Sequence, residues 1–132
     1  MGSRERAWAI LIVEDQAIIA SHIEDVVKRI GGGFVGCAGR ISDALNILET
    51  TSWDAALLDL RLAHGEMVYP VAERLHAHGI PFAFVTAWEG EIESAYKDVP
   101  VLRKPFGEAE LEECLRALIA QVPQPAVAQQ AA

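Results

Sequence analysis

The chain has 132 residues and a mass of 14.3 kDa, room for one domain of ordinary size and short tails but not for a multidomain machine. Hydrophobic residues make up 52% and charged residues 23%, enough apolar material for a core and enough charge for solubility. With 19 acidic against 11 basic residues the net charge is −8, which repels nucleic-acid phosphates and the anionic face of a membrane, so neither is an expected partner.

Residues 1–7 are mostly polar and read as an N-terminal tail; the apolar run that follows is far too short for a signal or membrane-spanning segment. That run, Trp8-Ala9-Ile10-Leu11-Ile12-Val13, is continuous rather than alternating, as in a strand buried on both faces of a parallel sheet. Ala17 to Ile30 has Ile19, Ile23, Val26, Val27 and Ile30 on one helical stripe, ended by Gly31-Gly32-Gly33. Phe34 to Ala38 predicts a weaker second strand, and Ser42 to Thr50 a helix with Ser42 as its N-cap. Asp54 to Asp59 is the third strand. Beyond a loop through His64-Gly65, Pro70 opens a helix carrying Val71, Ala72 and Leu75, closed by Gly79. Pro81 to Thr86 predicts strand four, Glu89 to Lys97 a short helix, and Val99 to Leu102 strand five. The last helix runs from Gly107 to Gln121, with Leu111, Cys114, Leu115, Leu118 and Ile119 on its apolar stripe. Residues 122–132 are uncharged and poor in large apolar side chains, the composition of a disordered tail, leaving one folded domain over 8–121.

Alternating strands and helices of this kind imply an α/β fold, a doubly wound five-stranded parallel sheet with five helices covering both faces. Such sheets bind ligands beyond the carboxyl ends of their strands. Strand one ends in Glu14-Asp15, strand three in Asp59 and strand four in Thr86, while strand five runs into Lys104-Pro105. Any one of these is an ordinary polar loop residue, but together they bring three carboxylates, a hydroxyl and an ammonium to one rim. Two carboxylates 4 Å apart repel by roughly 4 kcal/mol at an effective dielectric of about 20, so the cluster calls for a counter-charge. A hard divalent cation with oxygen ligands supplies it, and Mg²⁺ typically combines one or two carboxylates with waters and a phosphoryl oxygen. The chemistry is that of phosphoryl transfer: Asp59 as acceptor, Glu14 and Asp15 holding the metal, Lys104 clamping the phosphoryl oxygens and Thr86 sensing their arrival.

With these motifs in order, the sequence resembles the receiver domain of two-component response regulators. The resemblance rests on the apolar strand ending in Glu14-Asp15, on Leu57-Leu58-Asp59-Leu60, on Phe84-Val85-Thr86-Ala87 and on Lys104-Pro105-Phe106. It implies a flavodoxin-like sheet of strand order 2-1-3-4-5. It also implies Mg²⁺-dependent transfer of a phosphoryl group to Asp59 from a histidine kinase or phosphotransfer protein. By the same resemblance the metal ligands are Asp15, Glu14 acting largely through water, Asp59, and the backbone carbonyl of Arg61. No catalysis is expected beyond self-phosphorylation and slow self-dephosphorylation. A narrower resemblance, to stand-alone receivers of alphaproteobacteria with a Phe-Ala-Thr-Gly-hydrophobic-Tyr motif, rests on Gly65 to Ala72 and Pro81 to Thr86, with departures at Val85, Ala87 and Trp88. Receivers commonly carry an aromatic three residues before the lysine; here Val101 stands there, so the usual aromatic switch is ruled out and the loop Ala87-Trp88-Glu89-Gly90 becomes the candidate route for the signal.

The other chemistry-bearing residues have plainer readings. Cys37 and Cys114, without a metal-ligand spacing, are expected as small apolar core residues in a reducing cytoplasm. His22, His64, His76 and His78 share no helix face and are expected as solvated or capping residues. Trp8 and Trp53 are expected in packing roles, and the acidic run Glu108 to Glu113 favours a helix N-terminus. The leading function is a phosphorylation-controlled switch acting through protein contacts with a downstream protein, with a homodimer left open. A phosphate-independent interaction module and a phosphate sink are the alternatives. A phosphohydrolase is disfavoured, because Glu14-Asp15-Gln16-Ala17 lacks the Asp-x-Asp arrangement such enzymes place after strand one.

Overall fold

The computed structural model describes residues 8–122, so the expected tail at 1–7 and all of the expected tail at 122–132 but its first residue lie outside the described residues; Val122 packs against the core. Its elements follow in the order β1 (Trp8–Val13), α1 (Ala17–Arg29), β2 (Gly32–Ala38), α2 (Ile41–Thr50), β3 (Ala55–Leu58), α3 (Tyr69–Ala77), β4 (Phe82–Thr86), β5 (Val101–Arg103) and α4 (Glu108–Ile119), with 3₁₀ turns at Ala63–Gly65 and Ser94–Tyr96. The five strands form one sheet of order β2-β1-β3-β4-β5, every neighbouring pair parallel. The predicted topology is therefore the observed one.

Why the strands read as unbroken apolar runs is visible in their packing. Ala9, Leu11 and Val13 of β1 face one core with Ala56, Leu58, Phe82 and Phe84, closed by α2 and α3. Trp8, Ile10 and Ile12 face the other with Ala55, Leu57, Ala83 and Val85, closed by α1 and α4. Successive side chains point to opposite faces, so a sheet covered on both sides has no solvent face for polar residues to fill. Each fully buried Ile, Leu or Phe contributes about 1.5–3 kcal/mol, which makes the three central strands the rigid platform of the molecule.

The Glu89 to Lys97 helix does not form, and among the described residues four helices take the place of the expected five. Only the Ser94–Tyr96 turn is regular there, because the start of the segment is committed to other contacts: the backbone at Gly90 folds locally against the indole of Trp88, where a Cβ would lie 2.3 Å from Cζ2. Glu93 N–H donates to the Tyr69 hydroxyl at 3.0 Å, and Tyr96 stacks on Tyr69 with centroids 5.5 Å apart. The α2 helix begins at Ile41, with Arg40 in extended conformation at its N-cap, so Ser42 is not the cap. Cys37 is exposed rather than in the core, at the end of edge strand β2; Cys114 is half-buried against the core. Trp8 and Trp53 are buried as expected. Among the described residues no helix is long and apolar enough to cross a membrane.

Candidate functional site

The rim beyond the carboxyl ends of β1, β3, β4 and β5 is built by the last rungs of the sheet. Glu14 N–H donates to Ala38 O at 2.9 Å, Asp59 N–H to Val13 O at 2.8 Å, and Lys104 N–H to Thr86 O at 3.0 Å. Glu14, Asp59, Thr86 and Lys104 therefore spring from residues whose backbone is locked to the neighbouring strand, and Asp15 follows directly on Glu14. One carboxylate oxygen from each of Glu14, Asp15 and Asp59 lies within 4.8 Å of the others. Glu14 and Asp59 are buried and Asp15 is exposed.

The Lys104 ammonium sits between the two buried acids, 2.8 Å from Glu14 Oε1 and 3.0 Å from Asp59 Oδ2. Burial alone lowers the affinity of Lys104 for its proton, but the Glu14 and Asp59 carboxylates outweigh it and hold its pKa above the ordinary value. Glu14 is raised as well: burial is the main cause and the Asp59 charge adds to it, against the lowering effects of Lys104 and of Gln16 N–H, which donates to Oε2 at 3.1 Å. Three carboxylates against one ammonium leave the rim with a deficit of positive charge. Three hard carboxylate oxygens clustered within 4.8 Å with a single ammonium fit a divalent cation such as Mg²⁺.

A cavity of about 280 Å³ opens on the rim, lined by Gln16, Asp59, Arg61, Thr86, Ala87, Trp88 and Lys104. Thr86 is buried, and its hydroxyl accepts a hydrogen bond from Trp88 N–H at 2.8 Å. Arg61, two residues beyond Asp59, bridges to Met67 through its backbone and lays its guanidinium over the Trp88 ring, 5.2 Å from the centroid. Arg103 Nη1 donates to the Trp88 carbonyl. Sequence reasoning brought Glu14, Asp15, Asp59, Thr86, Lys104 and Arg61 to one place, and the structure gathers all of them. It missed Gln16 as a lining residue, Arg103 altogether, and the guanidinium of Arg61 as a support for Trp88; the only sequence signal for them was proximity to a strand end. Asp54, buried at the opposite end of β3, belongs to the scaffold, accepting the Ala9 N–H at 2.7 Å.

Comparison with known proteins agrees with this geometry. No protein-family model matches the chain. SdrG from Sphingomonas melonis Fr1, solved in solution, is 39% identical and superposes with a TM-score of 0.76 over 86% of this chain and 98% of its own. A BeF3-activated conformation of SdrG superposes with a TM-score of 0.71 at 40% identity, over 84% of this chain and 95% of its own. The response regulator REC domain of PhyR from Erythrobacter litoralis shares the fold, with a TM-score of 0.79 at 22% identity over 92% of this chain and 96% of its own. Among curated proteins, the phyllosphere-induced regulator PhyR of Methylorubrum extorquens is 28% identical over 109 residues, 80% of this chain; the chain spans 41% of that relative's length. The sheet order and acid-rich rim define a receiver-type fold. The chain belongs to the receiver domains of response regulators.

Proposed function

We propose that the chain is a phosphorylation-controlled signalling switch of the cytoplasm, and that Asp59 accepts the phosphoryl group from a phosphohistidine of a histidine kinase or phosphotransfer protein. In the transfer an Asp59 carboxylate oxygen attacks phosphorus as the P–N bond breaks. The bond's electron pair returns to the imidazole, which ends protonated, and the product is an acyl phosphate. The observation that carries this reading is the Lys104 ammonium poised between Glu14 and Asp59, ready to pair with a phosphoryl oxygen beside the carboxylate that receives it.

Glu14, Asp15, Asp59 and the Arg61 carbonyl would hold Mg²⁺, which when bound offsets the charge on the transferring oxygens. Thr86 has the donor to spare: its oxygen already accepts from Trp88, leaving its proton free for a phosphoryl oxygen. Turning the hydroxyl to that oxygen shifts the acceptor that Trp88 N–H depends on, which couples phosphorylation to the loop after β4. That SdrG has a BeF3-activated conformation supports the reading as a switch. Signalling then runs through contacts with a downstream protein.

The test is labelling by a small phosphodonor in the presence of Mg²⁺. Wild-type protein takes up the label and Asp59→Asn does not; undiminished labelling of the variant would overturn the assignment. Removing Mg²⁺ with a chelator abolishes labelling of the wild type.

A further inference from the structure

The two edges of the sheet are treated differently. On one side β5 is short, Val101–Arg103, carries an exposed arginine and runs directly into Lys104-Pro105, features that blunt an edge against pairing. On the other, β2 is longer, Gly32–Ala38, and its sequence Gly-Gly-Phe-Val-Gly-Cys-Ala has no charge and no proline. Phe34 there is one of the few large apolar side chains left in water, 47% exposed, and stacks on Trp53 with ring centroids 5.4 Å apart. Glu24 and Lys28, the charges that act on Cys37, pair with each other at 3.0 Å, and the strand itself carries no charge in a chain of net charge −8.

We infer that β2 is a homodimerisation edge, which pairs antiparallel with β2 of a second copy about a two-fold axis through Val35. Two copies of a strongly acidic chain repel wherever their surfaces are acidic, and this uncharged strand lets them meet without that cost. The occupant is selected by the register, which is self-complementary. With Val35 opposite itself, Phe34 faces Gly36 of the second copy and Gly33 faces Cys37 of the second copy, so each ring meets a residue with no side chain. Gly36 is bare for a reason within its own chain, since a Cβ there would lie 2.3 Å from Trp53 Cη2. The incoming phenyl ring therefore lies beside Trp53, and both Phe34–Trp53 stacks join into one apolar cluster across the axis. Such an interface is isologous and closes at two copies, consuming the open edge instead of propagating it.

Sedimentation equilibrium of the full chain tests the idea. Wild-type protein associates to a dimer, and Phe34→Lys weakens the association by at least about tenfold while its thermal unfolding stays close to wild type, because the ring it replaces is half exposed. The register is read by cysteine pairing in a Cys37→Ser, Cys114→Ser background: Val35→Cys oxidises to a covalent dimer faster than Ile18→Cys, a fully accessible control on α1. A wild type that stays monomeric up to millimolar concentration, a Phe34→Lys dimer of unchanged affinity, or Val35→Cys no faster than the control would each overturn the proposal.

Discussion

Trp88 N–H donates to Thr86 Oγ1 across 2.8 Å, so the buried hydroxyl that faces the acidic cavity also anchors the first turn of the loop behind it. The anchor is reinforced from outside by Arg61 over the indole face and by Arg103 on the Trp88 carbonyl. A side chain of the rim and the start of a surface segment thus share one hydrogen bond.

Thr86→Val keeps the shape of the side chain and removes that bond. It leaves the Trp88 N–H without its acceptor and costs about 1–2 kcal/mol. With Trp8→Phe and Trp53→Phe as background, Trp88 emission reports the loop. It responds to Mg²⁺ and beryllofluoride when Thr86 is present and stays flat in the valine variant. An equal response in both proteins would separate Thr86 from the loop.

Lys104 is the counter-charge of two buried acids, and its side chain is only 11% exposed. Lys104→Met leaves both carboxylates uncompensated and costs about 2 kcal/mol, less than the 3–5 of a fully enclosed pair. Urea unfolding without divalent metal measures it, and adding Asp59→Asn to Lys104→Met recovers part of the loss. Because its pKa is raised, Lys104 stabilises the fold fully below its ordinary value of 10.5, and that stabilisation is lost as the pH climbs through the raised value.

Glu14 gives the opposite slope to a typical salt-bridged acid. Its carboxyl is pushed above the ordinary 4.5 by burial, so between 4.5 and the raised value the folded chain holds more protons than the unfolded one. Stability in metal-free buffer therefore falls as the pH rises through that window. Glu14→Gln removes this contribution. Denaturant midpoints taken across the window for both proteins check it; parallel pH profiles would contradict the burial of the charge.

Gly36→Ala forces a methyl into the Trp53 ring and destabilises by about 1–3 kcal/mol. Gly39→Ala is the matched control, since its new Cβ meets Asp15 Cα at an ordinary 3.5 Å. Thermal unfolding of the pair separates a packing clash from the general effect of replacing glycine in this region.

The central strands were legible because burial on both faces writes itself into unbroken runs such as Ala9 to Val13, and the rim was legible because strand ends carry its chemistry. The segment after Thr86 was not. Glu89 to Lys97 has helical composition, yet Gly90 folds locally against the Trp88 indole and Glu93 is bound to Tyr69, 24 residues away, a long-range contact that no local pattern announces. Cys37 misled for a related reason: a small apolar residue on an outer strand is buried or bare according to how far the covering helix extends. The aromatic group of Tyr69, Phe82, Phe84 and Tyr96 likewise assembles from α3, β4 and the 3₁₀ turn.

The missing helix between β4 and β5 changes what switching must undo. A regular helix moves as a rod or unwinds against a ladder of backbone bonds, whereas the first part of the stretch from Ala87 to Val99 is held at separate points by Thr86, Arg61, Arg103 and Tyr69, and toward its end Ile92, Tyr96 and Val99 pack on the core. Releasing the first of these frees the neighbouring residues without disturbing the sheet, whose β4 side chains Phe84 and Val85 are locked in opposite cores. Under the proposed switch, the two states of such a segment would differ by a handful of contacts, a separation small enough for one phosphoryl group to reverse.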